Sequence, residues 1–201
     1  MLDARLRPLI DPPLNAMGRG IARVGITANG VTLIGMALGL AAAWMIAQEA
    51  YGWGLALLLA NRLLDGLDGA VARASGMTDF GGYLDIVADF VFYVAVPVGF
   101  GFAALANLMP ALVLVAAFTL TGISFLAFAT IAAKRGEETS DHGAKSFFYS
   151  TGLAEGAETI AVFVLMCLMP QHFAIIAYVY AGLCLLTVLQ RTMLARASFK
   201  P

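Results

Sequence analysis

Charge is scarce in this sequence, and so are the residues that bind zinc or cross-link a chain. Asp, Glu, Lys and Arg make up 12% of the 201 residues, against about 25% in soluble domains. That scarcity excludes an ordinary water-soluble globule. With two cysteines and two histidines, neither a disulfide scaffold nor a Cys/His zinc site is expected. The net charge of −1 says nothing about nucleic acid, and the basic residues read more simply as topology signals, so no nucleic-acid partner is expected. The first 25 residues lack the apolar centre of a signal peptide, so no cleaved leader is expected. Internal repeats and low-complexity tracts are lacking too.

What the sequence has in abundance is apolar surface, at 61% of residues. Apolar windows recur near 31–48, 51–72, 83–107, 110–133, 153–169 and 173–194, each close to the ~20 residues that one membrane crossing needs. They predict an all-α integral membrane protein: six transmembrane helices in a single domain over 1–201, preceded by an N-terminal arm over 1–25. Pro97, Gly99 and Gly101 inside the third window are compatible with this, because bundled helices re-satisfy freed backbone groups. In the arm, Leu2, Leu6, Ile10, Leu14, Met17 and Ile21 recur at near-helical spacing with arginines between them. That pattern predicts an amphipathic helix lying in the membrane interface. Asp11 before Pro12 and Pro13 reads as a helix restart.

All 12 Lys and Arg fall in the arm, the end of the second window, the 134–145 stretch or the C-terminal tail. The positive-inside rule then puts both termini, and Asp65 to Asp89 with them, on the cytoplasmic side of the membrane, expected to be the cell's inner membrane. Cys167 and Cys184 lie within apolar windows and read as buried, inert thiols.

Against this background one stretch stands out. Asp65, Asp68, Gly69, Ala72 and Arg73 are spaced to share one helical face, and Gly81, Asp85 and Asp89 share another. An ionisable residue at membrane depth is costly and reads as functional by default. Four converging carboxylates repel unless a cation compensates them, and oxygen-only ligation suits Mg²⁺, Mn²⁺ or Ca²⁺. A pair of such ions could clamp the attacking and leaving oxygens of a phosphoryl displacement. Arg73, planar and always charged, suits a phosphate oxygen. An ion-pair network with Arg62 and Arg73 would leave four acids against two bases, an unbalanced set. A cation or proton relay would require acids further along the bundle, where the windows are apolar. Near the start of the first window, Thr27 can cap a helix, while Asn29 and Thr32 either cap and pack or line a polar cavity beside the aspartates.

The run Asp65-x2-Asp68-Gly69-x2-Ala72-Arg73-x7-Gly81-x3-Asp85-x3-Asp89 resembles the signature of the CDP-alcohol phosphotransferases, also called CDP-alcohol phosphatidyltransferases. The six-helix length and the Thr27-x-Asn29-x-x-Thr32 opening agree with it. The resemblance implies that Asp65, Asp68 and Asp85 bind one divalent ion, Mg²⁺ or Mn²⁺, and that Asp65, Asp85 and Asp89 serve a second. It implies Asp89 as general base, and contact with the cytidine diphosphate moiety through Gly69 and Arg73, with Asn29, Thr32 and Thr78 in the same pocket. The reaction implied is transfer of a phosphatidyl group from CDP-diacylglycerol to a small polar alcohol, releasing CMP. Transfer of a CDP-aminoalcohol onto diacylglycerol is the alternative within the same chemistry. Family members often form homodimers, here through the Gly- and Ala-rich faces of the third and fourth spans.

For the acceptor, the mixed-charge stretch after the fourth window offers Lys134, Arg135 and Lys145, and the fifth opens with Glu155. Gly35 and the pair Gly156 and Thr159 stand where arginines mark two subfamilies, the phosphatidylglycerophosphate and phosphatidylinositol phosphate synthases. The acceptor alcohol is left open.

Overall fold

A computed structural model describes residues 2–135 and 154–199, with side chains described from Ile10 onward. Among these residues there are seven α-helices and no strand. They are α1 (Leu2–Arg23), α2 (Ala28–Ala47), α3 (Tyr51–Ser75), α4 (Asp79–Ala103), α5 (Leu108–Lys134), α6 (Gly156–Leu168) and α7 (Phe173–Ser198). Lys145 lies outside the described residues.

Two of the helices begin where a threonine side chain takes up an orphaned N–H group. Thr27 caps α2 by accepting from Gly30 N at 3.2 Å, and Thr78 caps α4 by accepting from Gly81 N at 3.0 Å. Helix α3 stops at Gly76, whose φ of +106° suits glycine and few other residues. One sequence expectation fails at a helix start. Residues 11–13 open no new helix, because α1 runs through both prolines unbroken.

Four helices, α2, α4, α5 and α7, are long and apolar enough to cross a membrane. Helix α3 has the length, but Arg62, Asp65 and Asp68 interrupt its apolar run. The described part of the fifth window, α6, spans 13 residues, short of a full crossing.

The core sits where the bundle is most aromatic. Phe163 of α6 meets Phe92 and Phe118 edge-on at 5.7 and 5.9 Å, and Phe100 stacks on Phe173 at 4.6 Å. Small residues are spent inside the bundle. A Cβ on Gly99 would lie 2.5 Å from the Ala43 carbonyl, one on Gly101 would lie 3.1 Å from Ala111, and Gly122 faces the Phe90 ring. Gly99, Gly101 and Gly122 thus pack within the protomer, where they let α2, α4 and α5 approach closely.

Helices α3 and α4 each pack along α2 but make almost no close backbone contact with each other. Beside the link at residues 76–78 they leave a cleft. Helix α1 is seated on α3, where Gly18 meets the Ala70 backbone and Gly66 meets Leu14. Leu14 and Ile21 of α1 pack there against Val31, Leu67 and Val71.

Candidate active site

A cavity of about 650 Å³ opens between the C-terminal end of α3 and the N-terminal ends of α2 and α4. Asp68, Gly69 and Arg73 line it from α3, and Asp85 lines it from α4. Asn29, Thr32 and Thr78 line it as well, so the residues picked out for a nucleotide pocket share one space. The sequence reading missed how much backbone contributes. Thr27 and Gly82 also line the cavity, so the N-termini of α2 and α4 both border it. Two positive helix ends beside a guanidinium make a favourable anion site. The caps Thr27 and Thr78 are the sequence signals for those ends.

Close approach explains two glycines. A Cβ on Gly81 would lie 3.2 Å from Asn29 Oδ1, and one on Gly69 would lie 3.3 Å from Arg73 Nη1. Arg73 lies along α3 toward α1, where its Nε and Nη2 donate to Asn15 Oδ1 at 3.1 and 2.9 Å. The α1 arm thus orients the one arginine that lines the cavity. No spacing rule pointed to Asn15.

Asp68 and Asp85 line the cavity, whereas Asp65 and Asp89 do not line it and meet at Arg62. Asp65 feels the charge of the other three, and Asp85 that of Asp68 and Asp89. Their partners differ. Asp68, 5% exposed, accepts from Thr32 Oγ1 at 2.7 Å. Asp89 accepts from Arg62 Nη1 at 2.9 Å, and Asp65 lies 3.5 Å from the same nitrogen. Arg62 is therefore an interior residue of α3 rather than a marker of topology. Arg73 pairs with none of the aspartates.

The fit to a divalent ion turns on this donor set. Among the described residues no three acidic, histidine or cysteine side chains form a ready-made cage. Asp65 and Asp89 are turned to Arg62, and Asp68 to Thr32. The chemistry nevertheless fits a hard cation: every donor is a carboxylate oxygen, two residues come from each helix, and the acids outnumber the single guanidinium among them.

The acceptor candidates lie elsewhere. Lys134 ends α5, and Arg135, just after it, lies over the Phe199 ring at 5.8 Å. Glu155 precedes α6, where its carbonyl accepts from Thr159, and its charge acts on Arg191. None of these three lines the cavity. Cys167 and Cys184 are buried free thiols, as expected.

Comparison with known proteins bears on this geometry. Residues 25–193 match the family model described as CDP-alcohol phosphatidyltransferase. The chain belongs to this family. It is a membrane-protein member, an enzyme of CDP-alcohol phosphatidyl transfer in phospholipid synthesis. The chain is 47% identical over 192 residues to inner membrane protein YnjF of Escherichia coli, covering 95% of this chain and 93% of that protein. It is 37% identical over 87 residues to the archaetidylinositol phosphate synthase of Pyrococcus horikoshii, covering 43% of this chain and 46% of that enzyme. The phosphatidylinositol phosphate synthase of Mycobacterium tuberculosis, solved with CDP-DAG bound, is similar with a TM-score of 0.66 at 25% identity, covering 90% of this chain and 92% of that one. Its complex with manganese and citrate is similar with a TM-score of 0.65 at 26% identity, covering 90% and 88%.

Proposed function

We propose that this protein transfers a phosphatidyl group from CDP-diacylglycerol to a hydroxyl of a small polar alcohol, releasing CMP, with a divalent metal ion. The observation that carries the reading is the cavity itself. Asp68 and Asp85 meet Gly69, Arg73 and two helix N-termini in one space at the end of an apolar bundle. Nucleotide and pyrophosphate fit the polar end, while the acyl chains stay with the apolar faces. The related enzyme with CDP-DAG bound supports the donor, and the related manganese complex supports the ion.

Asp65, Asp68, Asp85 and Asp89 would hold one or two Mg²⁺ or Mn²⁺ ions. Bound there, an ion supplies positive charge to the pyrophosphate and the departing CMP. The rest falls to the chain's own groups. The N–H groups at the starts of α2 and α4, with Arg73, hold the diphosphate and orient its phosphorus. Gly69 leaves room beside the α3 backbone for the cytidine. Asp89 has Oδ1 engaged by Arg62, which leaves Oδ2 to take the acceptor's hydroxyl proton. As that proton leaves, the acceptor oxygen bonds to phosphorus and the bond to the CMP oxygen breaks. CMP departs with the electron pair.

In the membrane, we read α2 to α7 as six crossings of one domain, with α1 in the cytoplasmic interface and the cavity on the same side. The distribution of Lys and Arg supports that orientation. The apolar core beyond the cluster, with Phe92, Val96 and Phe100 buried, is poor ground for a proton or cation relay.

The test is to give purified protein labelled CDP-diacylglycerol with glycerol 3-phosphate, serine, inositol or inositol phosphate, and to identify the lipid formed. A parallel arm supplies CDP-choline or CDP-ethanolamine with diacylglycerol. CMP release confined to the first arm supports the reading, and release confined to the second overturns it. Cation flux in liposomes without any nucleotide would instead favour a transporter.

A further inference from the structure

Arg62 has more partners than a neutralising charge needs. Its Nε donates to Asn61 Oδ1 at 2.7 Å, and Asn61 Nδ2 in turn donates to the Gly35 carbonyl of α2 at 2.8 Å. Its Nη1 crosses the cleft to Asp89 Oδ1, and its guanidinium lies 4.2 Å from the centre of the Phe92 ring, one turn further along α4. The side chain is 14% exposed. Among the described residues this is the hydrogen bond that links α3 to α4, helices whose backbones seldom approach closely. A chain of contacts from Gly35 through Asn61 and Arg62 to Asp89 therefore ties α2, α3 and α4 together beside the cavity.

The same guanidinium stands between Asp65 and Asp89. A planar cation fixed on three sides cannot leave a carboxylate as freely as a solvated lysine could. Two of the four acids thus have a permanent cation beside them, and the other two, Asp68 and Asp85, line the cavity.

We propose that Arg62 is a positioning residue and the resident cation of the cluster. It aims Asp89 into the cleft, and it competes with divalent ions for Asp65 and Asp89. The two roles pull in opposite directions. Without Arg62 the acids become a stronger cation trap, while the reaction loses the orientation of Asp89. A residue that merely held the fold together would weaken both. This inference rests on the metal-dependent reading above, and the experiment separates the two.

The measurement is Mn²⁺ binding to purified protein by electron paramagnetic resonance, alongside CMP release, for the intact chain, Arg62→Met, Arg62→Lys and Asp85→Asn. For Arg62→Met, Mn²⁺ affinity should rise by about tenfold, the size of a coupling between neighbouring charged groups. Its turnover should fall by about 10²-fold, as expected of a displaced reacting group. Arg62→Lys, which keeps the charge and the fold if the methionine variant is unstable, should lie between the two in both readouts. Mn²⁺ affinity unchanged or lowered in both arginine variants, while Asp85→Asn still abolishes binding, overturns this inference alone. Turnover equal to the intact chain in Arg62→Met also overturns it. Absence of saturable Mn²⁺ binding to the intact chain overturns the metal reading, and this inference with it.

Discussion

Thr32 on α2 donates a 2.7 Å hydrogen bond to Asp68 on α3, and both residues are buried. The bond fixes one carboxylate of the cluster from a helix that carries no acid until Glu49, just past its far end. A hydrogen bond to a charged group contributes about 1.5–3 kcal/mol. Thr32→Val keeps the shape and removes the hydroxyl, so CMP release should fall by about 10- to 100-fold. Thermal unfolding of the same sample separates that loss from a folding defect. Turnover within twofold of the intact chain would mean that Asp68 needs no partner from α2.

Asp89→Asn keeps the volume and an acceptor oxygen for Arg62 but removes the base. CMP release should drop by about 10²–10⁴-fold, with helix content by circular dichroism unchanged. Near-normal release would remove Asp89 from the proton-transfer role.

Thorough chelation should stop CMP release, and added Mg²⁺ or Mn²⁺ should restore it. The reason is charge: one arginine lies among four carboxylates, too little to accommodate a pyrophosphate as well. Activity that survives chelation with no metal detectable by mass spectrometry would argue for catalysis by the residues alone.

Asn15→Ala frees Arg73 from the arm. The Asn15 contact is partly solvated and neutral on one side, so its loss should cost about 1 kcal/mol. This should appear as about a fivefold rise in KM for the CDP-lipid with kcat little changed. A fall in kcat at unchanged KM would place the role of α1 in the chemical step instead.

Gly99→Leu tests the close approach of α4 to α2. A Cβ there would meet the Ala43 carbonyl at 2.5 Å, and such overpacking typically costs about 1–3 kcal/mol. A lowered unfolding temperature in detergent is expected. An unchanged one would show that the two helices part easily.

The membrane class, the helix positions, the Thr27 cap and the face-sharing acids were legible in the sequence, because each depends on the pattern along a single segment. Thr27 stands just before an apolar run, and Asp65, Asp68, Asp85 and Asp89 recur at helical intervals. The continuity of α1 through Pro12 and Pro13 was not legible. Local preference favoured a break there, while Leu14, Gly18 and Ile21 dock that helix on α3.

What the one-dimensional pattern determined is therefore which groups face the same way on one helix, since the 3.6-residue period sets that without reference to any other segment. Tertiary structure alone decided which helices touch. It placed α2 between α3 and α4, turned the glycines of α4 and α5 inward, set Arg62 between Asp65 and Asp89, and brought Asn15 to Arg73. The contacts of Arg62 with Asp89 and of Asn15 with Arg73 join residues 27 and 58 positions apart on different helices, and they arise from packing volume and charge pairing, which no local period encodes.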